Sequence, residues 1–230
     1  MIRLIDISPP MSAASPTFPG DEPFSLRAER SASTEGTVSV SVVTSSVHNG
    51  AHVDAPLHVF AEGDDIASLP LECFVGTCFT VDLSTSIASW EVPIRFEELP
   101  ADFFEDAACT RVCCERLLIK TRSRLPEGWS GRFRTIDPDA VRRLVAAGVR
   151  LIGVDVPSID PVESEALPAH RAALSYGVPI LENLNLCGVD SGFYELMAFP
   201  MNWPGAEASP VRAVLRTLDA PTAARPTIPD

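Results

Sequence analysis

Asp137-Pro-Asp-Ala-Val-Arg-Arg-Leu-Val-Ala-Ala-Gly148-Val-Arg-Leu-Ile-Gly-Val-Asp-Val156 holds a helix and a strand back to back. Asp137 is a good helix N-cap, and Pro138 suits the first helical position, where its missing N–H is not needed. Ala140, Val141, Leu144 and Val145 recur at helical spacing, and Gly148 supplies the stop. Val149–Val156 then reads as a buried strand. Upstream, Arg116-Leu-Leu-Ile-Lys-Thr121 reads as another. Strand, helix, strand across 116–156 predicts a parallel crossover, with a long connection over 122–136.

Working outward, residues 37–47 alternate apolar and polar, with Val38, Val40 and Val42 on one side, which predicts a half-buried strand. Further strands are expected over 76–83, 178–186, 193–199 and 211–215, and a short helix over 169–176 that ends at Gly177. Residues 8–23 carry too many prolines for regular structure and predict an extended surface loop. Strands outnumber helices. The expectation is one α/β domain with a mainly β core over 1–219, followed by a frayed Pro/Ala-rich tail over 220–230.

The chain has 230 residues, with 18 Lys+Arg against 31 Asp+Glu and a net charge of −13. Nucleic acid and anionic membrane surfaces need clustered cations, so neither is an expected partner. No apolar run approaches the length needed to span a bilayer. Met1-Ile-Arg-Leu-Ile-Asp6 lacks the pattern of an export signal. The six cysteines, at 73, 78, 109, 113, 114 and 187, form no CxxC pair. They are read as reduced thiols of a cytoplasmic protein.

Only four histidines occur, and three lie in His48-Asn-Gly-Ala-His52-Val-Asp54-Ala-Pro56-Leu-His58. Gly50 and Pro56 exclude a continuous helix. In an extended stretch His52 and Asp54 project to one side, and a turn at Gly50 lets His48 join them. Two imidazoles and a carboxylate suit zinc, manganese or iron(II) and leave coordination positions open, as a catalytic site requires. The bland alternative is polar loop residues bonded to backbone. His58, beyond Pro56, is read either as a proton shuttle or as a fourth ligand or surface histidine. His170 sits on the short helix and Glu182 on the strand after it. A glutamate among apolar neighbours is costly unless paired. On the residues alone, a capping His170 and a Glu182–Arg171 pair are a better reading than a second pair of ligands. No nucleophile elbow, phosphate-binding loop or dinucleotide fingerprint is present, which leaves metal-activated water as the best-supported nucleophile.

His48-x-Gly50-x-His52-x-Asp54-x-Pro56-x-His58 resembles the signature of the metal-dependent cyclase-type hydrolases, with Ala51 where a threonine is usual. Asp6-Ile-Ser-Pro-Pro10, Phe18-Pro-Gly-Asp21, Leu151–Pro161, Ala169-His170-Arg171, Ile180-Leu-Glu182 and Ser209–Leu215 extend the resemblance toward the bacterial kynurenine formamidases (arylformamidases). The resemblance implies a swivelling β/β/α domain, a homodimer or higher oligomer, and two divalent metal ions per subunit, Zn2+ with Mn2+ as the alternative. It implies that His48, His52 and Asp54 hold the first ion, that Asp54 bridges, that His170 and Glu182 complete the second, and that His58 is the acid/base. The implied reaction is hydrolysis of N-formyl-L-kynurenine to L-kynurenine and formate by a metal-bound hydroxide, with an isatin-like cyclic amide as the alternative substrate. Phe18 stands where the family carries a tryptophan for the substrate ring. It can still stack but cannot donate a hydrogen bond.

Overall fold

The computed structural model describes residues 2–32, 38–86, 89–105 and 112–218. In chain order the strands are β1 (Leu4–Asp6), β2 (Ser25–Arg30), β3 (Val40–Thr44), β4 (His52–Asp54), β5 (Val75–Asp82) and β6 (Arg116–Lys120). Helix α1 (Pro138–Ala146) leads into β7 (Leu151–Val154), and helix α2 (Pro168–Leu174) into β8 (Ile180–Glu182). The described chain closes with β9 (Gly192–Met197), β10 (Ala208–Pro210) and β11 (Val214–Thr217).

Nine of these strands form one sheet in the order β1-β11-β9-β5-β6-β7-β8-β4-β10. Its centre, β5 to β8, is parallel. A parallel centre must be covered on both faces, and every residue of β6 and β7 is buried. Leu117 and Ile119 point to one face, where they pack with Val141 and Leu144 of α1 and Ala169 and Ala173 of α2. Leu118 points to the other, beside Val53, Leu181, Leu196 and Leu215. Between them Gly153 leaves room for a close approach: a Cβ there would meet Leu118 Cδ2 at 2.3 Å. The result is a single, mostly β domain, a curled half-barrel sheet with two helices.

The crossover forms as the sequence predicts. Asp137 accepts the backbone N–H of Asp139 at 2.8 Å at the head of α1, and Gly148 turns the chain at φ +107°. Residues 8–23 are free of helix and strand. The cysteines 73, 78, 113, 114 and 187 are unbridged. Cys109 and the expected tail over 220–230 lie outside the described residues.

One expectation is corrected. The 37–47 strand shortens to β3 and is not half-buried in the main sheet. It pairs with β2 in a separate two-stranded ribbon. Every residue of β2 is exposed, and every residue of β3 except Val40. Alternation marks an apolar side but does not say what covers it, and no described residue of this chain buries Leu26, Val42 or Val43. The expected 178–186 strand contracts to β8, because Asn183 turns the chain at φ +57° directly after Glu182.

Candidate metal centre

The antiparallel register of β4 and β8 sets His52 directly opposite Glu182. Asp54 shares their face through the two-residue side-chain period. The turn before β4 requires Gly50. Its φ is +66°, and a Cβ would lie 2.3 Å from Met11 Sδ. That turn also aims His52. Its Nδ1–H donates to the Gly50 carbonyl at 2.9 Å, which leaves Nε2 facing inward. Nε2 lies 3.4 Å from Asp54 Oδ1 and 3.6 Å from Glu182 Oε2. His48 Nδ1 is 3.0 Å from Asp54 Oδ1. His170, brought in on α2, sets Nε2 3.6 Å from Asp54 Oδ2 and 3.4 Å from Glu182 Oε1. The His58 ring centroid lies 4.5 Å from that of His48 and 5.6 Å from that of His170. Side chains from the 48–58 stretch and from 170–182 thus meet at one point.

The donor set fits a divalent cation. Both Asp54 oxygens are buried and accept no hydrogen bond. A buried carboxylate that accepts no hydrogen bond is expensive, and a cation between it and neutral imidazoles removes that cost. Two overlapping groups have ligand atoms within 4.8 Å of one another: His48, Asp54 and His58, and His52, Asp54 and Glu182. Asp54 belongs to both. His58 stands close enough to act as a ligand as well as a proton carrier. Arg171 does not pair with Glu182. Its Nε donates to the Ala166 carbonyl, and its guanidinium lies 5.2 Å over the Phe60 ring.

Asp160 escaped the sequence reading. Its Oδ2 accepts His170 Nδ1–H at 2.8 Å, and the carboxylate also accepts the backbone N–H groups of Ala169 and His170. It therefore caps α2 from a distance and fixes the His170 ring, as second partners of metal-facing histidines do. The available signal was the absence of a capping residue type at Leu167, immediately before Pro168. Ile159 N–H donates to Glu182 Oε1 at 2.9 Å and orients that carboxylate.

Charge in the site follows from this crowding. Burial lowers the His48 pKa, but the Asp54 carboxylate, with Glu182 and Glu207, outweighs burial and pushes it up to about 9. Burial likewise disfavours charge on His170, yet Asp160, Asp54 and Glu182 hold its pKa well above the ordinary imidazole range. Burial and the Asp54 charge raise Glu182. At neutral pH, the metal-free centre therefore carries protons where cations would sit. With a folded pKa near 9 against an ordinary 6.5, His48 stabilises the metal-free fold below pH 6.5, and this is lost as pH rises through 9. Metal loading at pH 7 should expel the His48 proton, and affinity should strengthen with pH up to about 9. Calorimetry in two buffers of different ionisation enthalpy measures this. Identical heats in both would contradict it.

The centre opens into a cavity of about 500 Å³. Phe18 lies in its wall with Trp129, the ring centroids 5.1 Å apart and the planes at 72°. An indole is thus present, carried by the 122–136 connection, which runs along the cavity from Arg122 to Ser130. This use accounts for the length of that connection.

The Cyclase family model matches residues 5–161. The kynurenine formamidase of Delftia acidovorans (strain DSM 14801 / SPH-1) is 41% identical over 219 residues, covering 94% of this chain and 98% of its own. That of Bordetella avium (strain 197N) is 41% identical over 223 residues, 95% of this chain and all of its own. A solved structure of a predicted metal-dependent hydrolase from Bacillus stearothermophilus superposes with TM-score 0.76 at 27% identity, covering 94% of this chain and 98% of the other. Isatin hydrolase A from Labrenzia aggregata shares the fold, with TM-score 0.77 at 20% identity over 95% of this chain and 94% of its own. Matched over residues 5–161 by the family model and over 94–95% of its length by relatives, the chain belongs to the Cyclase family.

Proposed function

We propose that this protein is an arylformamidase that hydrolyses N-formyl-L-kynurenine to L-kynurenine and formate. One observation carries the chemistry: Asp54, with both oxygens buried and without a hydrogen bond, lies against three imidazoles that line an aromatic-walled cavity. The two kynurenine formamidases at 41% identity support the substrate. In this reading His48, His52 and Asp54 would hold one divalent ion, and His170 and Glu182, with Asp54 shared, would complete the site of a second. Zn2+ is the first candidate, with Mn2+ the alternative. When bound, the ions would acidify a water and polarise the formyl oxygen.

The protein's own residues do the rest. Phe18 and Trp129, packed edge to face, form one wall for the aryl ring and leave the formyl group toward the histidines. His58 is half-buried, and burial lowers its pKa, although Asp54 opposes the shift. A neutral His58 can take the proton of the attacking water as oxygen bonds to the formyl carbon. It then delivers that proton to the aniline nitrogen as the C–N bond breaks. Formate and the free arylamine leave. An anilide departs more readily than an alkyl amide, so modest acid assistance suffices.

The exposed β2–β3 ribbon, with Leu26 and Val43 uncovered, supports assembly as a homodimer or higher oligomer, which light scattering measures directly. The unbridged thiols fit the reducing cytoplasm. Among the described residues no helix is long and apolar enough to cross a membrane.

The deciding experiment measures formate release from N-formyl-L-kynurenine, with isatin as the second substrate. It uses one preparation as purified, after chelation, and after Zn2+ or Mn2+ is restored. The proposal expects turnover of the formamide that chelation abolishes and metal restores. Preference for isatin, or full turnover after stripping, would overturn it.

A further inference from the structure

We infer that Arg122 anchors the α-carboxylate of an amino-acid substrate, making the cavity selective for aryl formamides with an anionic side arm. The inference rests on the arylformamidase reading above. Arg122 lies two residues beyond the end of β6 and lines the cavity from the carboxyl end of the parallel strands, where open α/β sheets receive ligands. It is the one lysine or arginine among the described cavity-lining residues. In a chain of net charge −13, such placement stands out.

The backbone beneath this side chain is pinned. Asp155 Oδ2 accepts the N–H groups of Thr121 and Arg122, each at 2.8 Å, and its Oδ1 accepts the Thr121 hydroxyl at 2.7 Å. Asp155 thereby directs both oxygens at the strand end, in three hydrogen bonds. Among the described residues the Arg122 guanidinium makes no hydrogen bond and no ion pair, so its donor fork is open. Burial lowers its pKa, with Asp155 opposing, as for a guanidinium drawn partly out of water. A free guanidinium of this kind matches a carboxylate in a two-pronged bond. N-formyl-L-kynurenine carries a formamide at one end and a carboxylate at the other, with the aryl ring between. The cavity offers histidines, an aromatic wall and Arg122 to the three parts.

The test compares N-formyl-L-kynurenine with N-formyl-2-aminoacetophenone, which keeps the ring and ketone but lacks the amino-acid arm. Arg122→Met is expected to lose about 10- to 100-fold in kcat/KM on the first, mostly through KM. On the second it should change less than about 2-fold, which also reports an intact site. Arg122→Lys, keeping charge but not the fork, should recover part of the loss on the first substrate only. An equal loss on both substrates, or none on either, overturns the role of Arg122. If the wild-type protein releases formate from neither compound, the arylformamidase reading itself fails.

Discussion

Asp54→Asn should leave a folded protein whose bound metal falls sharply and whose formate release drops by at least about 10³-fold. The substitution keeps shape and removes charge. Asp54 is fully buried on β4, between β8 and β10, so asparagine fits the same space and the strand pairing survives. What disappears is the anion that both candidate ligand groups share. The carboxamide also brings two donors to a spot ringed by imidazole nitrogens. Removing Asp54 further releases His48, whose pKa near 9 depends on that carboxylate, toward the ordinary range. The metal-free variant should therefore lose the His48-linked fall in stability between pH 6.5 and 9 that the metal-free wild type shows. Elemental analysis, formate release and melting curves against pH read the three consequences. Near-normal turnover with a full complement of metal would mean that Asp54 is a spectator.

That site was legible in the sequence to unequal degrees, for physical reasons. His48, His52, Asp54 and His58 lie within eleven residues, and the two-residue period of extended chain already placed two of them together. His170 and Glu182 meet them only because β8 pairs with β4, a non-local pairing that local pattern does not encode. Three-residue strands such as β1, β4 and β10 are too short to display a period at all. Asp160 escaped because its work is backbone capping and ring orientation at a distance of ten residues. Trp129 escaped because it sits on an irregular connection, where neither helical nor strand spacing applies. The crossover over 116–156 was legible because capping, helical spacing and a glycine stop all agreed. The 37–47 stretch misled because alternation reports amphipathicity alone, and the ribbon carries its apolar side away from the core.

His58→Ala separates the two roles open to that histidine. If His58 carries the proton to the departing nitrogen, the variant should keep its metal and lose about 10² to 10⁴ in kcat. The loss should depend on the leaving group. With electron-poor formanilides the departing nitrogen needs little protonation, so the variant should approach the wild type. With electron-rich rings the deficit should widen. A metal ligand gives another pattern, since its removal lowers metal content and slows all formanilides alike. The geometry makes the contrast sharp. The His58 ring lies 4.5 Å from that of His48 and 5.6 Å from that of His170, at the lip of the histidine cluster rather than in its buried floor. It lines the same cavity as Phe18 and Trp129. A uniform loss across the series, accompanied by depleted metal, would assign His58 to coordination and leave proton delivery to solvent.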